Sequence, residues 1–352
     1  MRHHLWLLSA FSMAATLALG ITDAEAKKSF KASPSHIAVA KKPTTEAYAF
    51  NTSHCVFMPS AVSRSWDWKN AHLTAQFIKT QNGAYRADIM QGATNQDERL
   101  PLASIAKLMT ALVALDLMDQ KNMNRQQMIA VTPDSLCLND NHFAVVGLPA
   151  GIKEISLGDA LTHTLKLSSN TMATNVAIAT AGSVPAFVKL MNEKAREWGM
   201  RNTHFISPNG LPEGDRKSEY TTANDMLIMA RHILPQFERF KTYSHAPLKP
   251  WILPQKADPA SGKYQLSALG AVFKTGTIMN CSSLLTIAEV GDNKIVDIQL
   301  CGRSQTRFQN ALAAVKNGME RLAGIVSTEA VAAPVSLTPD RISLRQDLPS
   351  VP

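Results

Sequence analysis

Pro101-Leu-Ala-Ser-Ile-Ala-Lys-Leu-Met-Thr-Ala-Leu112 decides the reading of this chain, because it sets Ser104 at the start of an apolar helix with Lys107 three residues later. Positions three apart share one helix face, so the lysine amine can lie beside the serine hydroxyl. Pro101 is tolerated only where a helix opens, and Ile105, Leu108, Met109, Leu112, Val113 and Leu115 recur at helical spacing. The helix start adds a positive dipole end that favours a developing alkoxide and a neutral amine. The pair is a nucleophile beside a base. It is the only Ser-x-x-Lys in the sequence.

Two companion patterns come after it in order. Ser168-Ser169-Asn170 offers a hydroxyl and a carboxamide two residues apart, between helix candidates over Leu157–Leu167 and Thr171–Ala179. Lys274-Thr275-Gly276-Thr277 offers a cation, hydroxyls and a glycine where backbone can approach closely. Ser207-Pro208-Asn209 also fits Ser-x-Asn.

Around these patterns the spacing predicts a strand at Leu73–Lys79, a turn at Gln81-Asn82-Gly83 and a second strand over Ala84–Met90. A largely helical region runs from about 122 to 200, with a third helix candidate at Pro185–Ala195. Thr222-Ala-Asn-Asp225 has the form of a capping box opening a helix over Met226–Leu234. Residues 235 to 270 are Pro-rich and carry no assignable pattern. Strands at Ala271–Thr277, Leu284–Val290 and Ile295–Cys301 precede an amphipathic helix at Arg307–Leu322. This order predicts an α+β fold: one antiparallel sheet flanked by terminal helices, with a helical lobe inserted.

Residues 1–26 read as a secretory signal peptide, with a basic start, an apolar run over Leu5–Gly20 and an Ala24-Glu-Ala26 cleavage site. No later stretch is long and apolar enough to span a membrane. Residues 27–66 form a basic leader expected to be flexible, 67–324 the folded domain, and 325–352 a Pro-containing tail expected to be disordered. The chain's formal charge is +8, and losing Arg2, Asp23 and Glu25 with the signal leaves it slightly more basic. Such a surface outside the cytoplasm suits an anionic envelope polymer or membrane face. With an export signal and no nucleic-acid motif, DNA and RNA are excluded as partners.

Four cysteines, Cys55, Cys137, Cys281 and Cys301, form no Cys-x-x-Cys pair, and no His-Glu-x-x-His is present. The expectation is a reaction without metal or cofactor. Pairing of the last strands brings Cys281 and Cys301 near one end of the sheet, which suits either a disulfide or two buried thiols.

In the order Ser-x-x-Lys, Ser-x-Asn, Lys-Thr-Gly the chain resembles the penicillin-recognising serine enzymes. It is most similar to the low-molecular-mass penicillin-binding proteins, serine-type D-alanyl-D-alanine carboxypeptidases. The resemblance covers about residues 70 to 324 and is carried by Asp97–Leu115, the Ser168 region, Asn209-Gly-Leu-Pro-Glu213 with Thr221–Asp225, and Phe273–Gly276. It assigns Ser-x-Asn to Ser168, since Ser207 lies inside the family's Pro-x-Gly-Leu-Pro loop.

The resemblance implies the β-lactamase/penicillin-binding-protein transpeptidase-like fold and a set of roles. Ser104 attacks the carbonyl of the penultimate D-Ala, and Lys107, kept neutral by burial and by Lys274, takes its proton. Ser168 relays a proton to the leaving amine while Asn170 holds peptide and lysine. Lys274 and Thr275 receive the terminal carboxylate beside Gly276, and the N–H groups of Ser104 and Thr277 form the oxyanion hole. Peptidoglycan stem peptides are then the substrate and β-lactams covalent inhibitors.

Three departures stand out. Thr277-Ile-Met-Asn-Cys281-Ser282 replaces the family's usual aromatic or His and Ala-Gly-rich turn, and the Asn-rich approach to Lys274 is missing. No second β-rich domain or amphipathic anchor is expected after Leu322, which favours a soluble or loosely associated protein. A D,D-endopeptidase would use the same residues, and a non-catalytic wall-binding protein would keep the fold. A class A β-lactamase is disfavoured by the lack of a Glu-x-x-Leu-Asn loop.

Overall fold

The computed structural model describes residues 69–132, 152–211, 219–248, 258–278 and 280–329, all within one compact unit. The segments expected as signal peptide and leader, and the part of the expected tail beyond residue 329, lie outside the described residues, as do Cys55 and Cys137.

The chain enters as β1 (Ala71–Lys79) and turns into β2 (Tyr85–Ile89). Gly83 closes the turn at φ +83, its N–H bonded to Thr80 O at 2.9 Å. A two-residue β3 (Leu100–Pro101) leads into a 3-10 turn, Ala103–Ala106, that feeds α1 (Lys107–Gln120). Expected as an apolar helix, α1 is buried on every face from Lys107 to Leu115, as an all-round apolar helix must be.

Short β4 (Met128–Ala130) and β5 (Glu154–Ser156) pair, then α2 (Leu157–Lys166), α3 (Asn170–Ala181) and α4 (Val184–Glu197) pack around α1. After β6 (Tyr220–Thr221), which pairs with β3, comes α5 (Ala223–Ile233). Thr222 caps it, accepting from Asp225 N at 3.1 Å. The reciprocal half of the box is absent: the Asp225 carboxylate instead accepts from Asn202 N and Thr203 Oγ1.

The region without a sequence assignment contains α6 (Phe237–His245) and α7 (Gly262–Ala268). Phe237, Phe240 and Tyr243 form a buried stripe at threefold spacing on α6, a pattern too short to stand out in its Pro-rich surroundings. The chain finishes with β7 (Val272–Ile278), β8 (Cys281–Val290), β9 (Asn293–Gly302) and α8 (Arg307–Glu329). That last helix runs past Leu322 and through Gly324 to Glu329, so it takes in the first residues of the segment expected as a disordered tail.

The expected architecture is present: an antiparallel sheet ordered β2-β1-β9-β8-β7, with β2 and β7 as edges. Leu73, Ala75 and Phe77 of β1 face the large core shared with the helical lobe. A second, smaller core on the opposite face joins Leu284, Ala288 and Ile295 to Ala311, Leu312 and Val315 of α8. The helical lobe therefore meets the sheet beside the exposed edge of β7. Cys281 and Cys301 form a disulfide, which decides between the two states the sequence allowed. Among the described residues no single helix is long and apolar enough to cross a membrane.

Candidate active site

Ser104 lies in the 3-10 turn at the mouth of α1, and the residue before it, Ala103, is held at φ +47. A left-handed alanine costs about 1–3 kcal/mol and persists only where its surroundings enforce it. Two glycines supply that enforcement. A Cβ on Gly210, itself at φ +81, would stand 1.8 Å from Ala103 O. One on Gly276 would meet Ile105 Cγ1 at 3.1 Å, Leu102 O at 3.2 Å and Ala103 Cβ at 3.3 Å. The loop and β7 thus close on the turn from two sides, which fixes where Ser104 points.

Lys107 is fully buried, its Nζ 2.8 Å from Ser104 Oγ, 2.8 Å from Asn170 Oδ1 and 2.6 Å from Asn209 O. A neutral amine has two hydrogens and one lone pair. Donating to Asn170 Oδ1 and Asn209 O uses both hydrogens and leaves the lone pair for the Ser104 hydroxyl. Burial, and then the charge of Lys274, push the amine well below the ordinary lysine range, against a weaker pull from Glu219. Both effects favour the neutral amine over the ammonium.

Ser168 adopts φ +59 between α2 and α3. Its neighbour Ser169 caps α3, accepting from Met172 N at 3.2 Å. This sharp junction sends Ser168 and Asn170 to different lysines: Ser168 Oγ lies 2.8 Å from Lys274 Nζ, while Asn170 reaches Lys107. The rival Ser207 and Asn209 bond to each other and cap their own loop through Gly210 N and Leu211 N. Only the Asn209 carbonyl, a backbone group with no sequence signature, enters the site.

Lys274 is 1% exposed and also donates to Thr275 O at 2.9 Å. Burial, then the charges of Arg307 and Lys263, bring it down to about 7. Thr275 is half-buried and Thr277 exposed, along an edge strand whose outer side is unpaired in the sheet. Sequence reading missed Arg307, whose guanidinium donates to Gly276 O at 3.2 Å, Thr277 Oγ1 at 3.0 Å and Ser283 O at 3.4 Å. No motif marks it; its place comes from α8 starting across the end of β7.

All eight expected residues therefore gather at one junction of lobe and sheet: Ser104, Lys107, Ser168, Asn170, Lys274, Thr275, Gly276 and Thr277. Chemically it is a serine beside a buried amine whose proton affinity is lowered, next to a strand edge that carries a second lysine and two hydroxyls.

Residues 87–255 match the family model described as D-alanyl-D-alanine carboxypeptidase. The chain is 33% identical over 141 residues to a D-alanyl-D-alanine carboxypeptidase, DacF, of Bacillus subtilis, covering 40% of this chain and 34% of that one. To a D-alanyl-D-alanine endopeptidase of Escherichia coli it is 39% identical over 144 residues, covering 40% and 43%. The matches span less than half the length of these two relatives. Penicillin-binding protein D2 of Listeria monocytogenes, solved with ampicillin bound, superposes with a TM-score of 0.54 at 24% identity, over 70% of this chain and 96% of that one. The fold is that of the penicillin-binding proteins.

Proposed function

We propose that this chain, which over part of its length is similar to D-alanyl-D-alanine carboxypeptidases, removes the terminal D-Ala of peptidoglycan stem peptides through an acyl-enzyme on Ser104. The observation that carries the proposal is the Lys107 amine, sealed from water and 2.8 Å from the Ser104 hydroxyl.

In this mechanism Ser104 Oγ attacks the carbonyl carbon of the penultimate D-Ala as Lys107 Nζ takes the hydroxyl proton. The backbone N–H groups of Ser104 and Thr277 receive the negative charge that develops on the carbonyl oxygen. Collapse breaks the peptide bond, and the proton passes by way of Ser168 to the leaving nitrogen of D-alanine. Lys274 and Thr275 take the terminal carboxylate, whose charge is complementary to this lysine and to Arg307. Water then attacks the ester, with Lys107 again accepting a proton, and frees the shortened peptide. A β-lactam opens on the same serine.

The apolar run and cleavage pattern in residues 1–26 fit export to the compartment where peptidoglycan lies. A second reading, cleavage of cross-links as a D,D-endopeptidase, is favoured by the 39% identity to a relative of that name. Incubation with a stem pentapeptide and, separately, with a cross-linked muropeptide dimer separates them. The proposal expects free D-alanine from the pentapeptide, abolished in Ser104→Ala. Cleavage of the dimer with an intact pentapeptide would replace it with the endopeptidase reading, and neither product would reject both.

A further inference from the structure

Cys281 and Cys301 stand at the end of the sheet next to the site. Cys281 opens β8 opposite Ile278 of β7, and Cys301 is the penultimate residue of β9. Pairing between β8 and β9 slips there: Ser282 faces Gly302, whereas Leu284 faces Gln299. Ser283 is therefore opposed by both Leu300 and Cys301. A bulge of this kind bends its strand and re-aims the residues beyond it. Cys301 takes φ +53, and its N–H is held by a side chain, Ser283 Oγ at 3.1 Å. The disulfide joins the same residue to Cys281, with Cα atoms 4.0 Å apart.

The segment leaving the bulge, residues 302–306, carries the chain to Arg307 and so back onto β7. Ser283 appears at both ends of this detour: its hydroxyl holds Cys301 and its carbonyl accepts from Arg307. Without the cross-link, the strained residue can relax by pairing in register. A one-residue slip moves the strand exit by roughly 3 Å, more than the tolerance of a hydrogen bond.

We infer that the Cys281–Cys301 disulfide and Ser283 form a brace that positions Arg307 against the Gly276–Thr277 end of β7, tuning the site for ligands that carry a carboxylate. The brace acts through Arg307 and touches no reacting atom. Its consequence for ligands rests on the reading of β7 as the substrate strand.

The test compares wild type with the double variant Cys281→Ser, Cys301→Ser, leaving Cys55 and Cys137 in place. Hydrogen exchange is measured in peptides spanning 272–283 and 300–307. Acylation rates are measured with benzylpenicillin, which bears a carboxylate, and with an activated ester of an acylated D-alanine, which does not. The brace predicts faster exchange in both peptides with the β1–β2 hairpin unchanged. It also predicts about a tenfold slower reaction with penicillin, the scale of one charge-assisted hydrogen bond, and an unchanged rate with the ester. Arg307→Gln should reproduce the penicillin loss, and adding the cysteine changes to it should cost little more. Unchanged exchange, equal loss with both acyl donors, or losses that multiply would each overturn the brace. If the double variant does not fold, wild type reduced in its folded state takes its place. Wild type that neither donor acylates would reject the proposed function instead, and exchange alone would then decide whether the brace exists.

Discussion

Lys107 and Lys274 are the two most deeply buried lysines among the described residues, and they are built in opposite ways. Lys107 is 0% exposed and Lys274 1% exposed. The pocket of Lys107 begins locally, with Ser104 one helical turn back, and is finished by Asn170 and the Asn209 carbonyl. Lys274 sits on an edge strand and takes its surroundings from distant chain: Ser168, Arg307 and the bulge behind them. Both amines lose affinity for protons through burial, yet Lys107 is furnished with acceptors that leave a lone pair free. Lys274 stands among cations, where an incoming carboxylate would restore its charge. In the proposed mechanism, similar burial thus serves a base at one lysine and an anion receptor at the other.

The sharpest way to break this comparison is to remove each amine. Lys107→Met should slow acylation by about a thousandfold or more, as loss of a base paired to a nucleophile does. Lys274→Met should act mainly on KM, by roughly tenfold to a hundredfold, the scale of a charge-assisted contact. Steady-state kinetics with a pentapeptide check both. Equal effects on kcat would erase the distinction.

Gly210→Ala tests the wall both halves share. Its Cβ would overlap Ala103 O, a backbone atom with no flexible side chain to yield. At a residue already at φ +81, the expected cost is on the order of 2–4 kcal/mol in chemical denaturation, along with loss of acylation in the fraction that folds.

The pH profile sharpens the comparison further. Capture of a carboxylate needs Lys274 charged and Lys107 neutral. With Lys274 at about 7, kcat/KM should fall on the alkaline side above about pH 7, while the lowered Lys107 extends activity towards lower pH. In the complex the ligand's carboxylate pulls Lys274 upward, so the alkaline limb of kcat should lie higher. Arg307→Gln removes a charge that depresses Lys274 and should raise the alkaline limb of kcat/KM. The same shift acts on stability. Between about 7 and the ordinary 10.5 the unfolded chain holds a proton at this residue that the folded chain has released, so stability rises with pH across that window.

The smallest expected effect is Ser169→Ala, which removes the cap of α3 but neither lysine's partner. A loss of about 1 kcal/mol in thermal melting, with kcat within about twofold, would separate support of the junction from its chemistry.

The local half of the site was legible in sequence because its information is local. Ser104 and Lys107 declare themselves by spacing, and Thr222 caps its helix with a side chain that can do little else there. The hairpin strands showed their alternation, and their pairing followed. Arg307 and the Asn209 carbonyl were not legible, since one is placed by a helix crossing a strand end and the other is a backbone group without residue identity. The disulfide remained one of two possibilities, because strand order brings the cysteines close without fixing the bulge that seats Cys301. Helix α6 escaped because its three buried aromatic residues span barely two turns beside prolines.

The most direct test of the central claim, that Ser104 is the nucleophile and Lys107 its base, is intact-mass spectrometry of the protein after brief exposure to benzylpenicillin, with peptide mapping of any adduct. The account predicts one penicilloyl group per chain on Ser104, absent in Ser104→Ala and formed at least about a thousandfold more slowly in Lys107→Met. An adduct on another residue, or undiminished acylation of the Ser104→Ala protein, would contradict it.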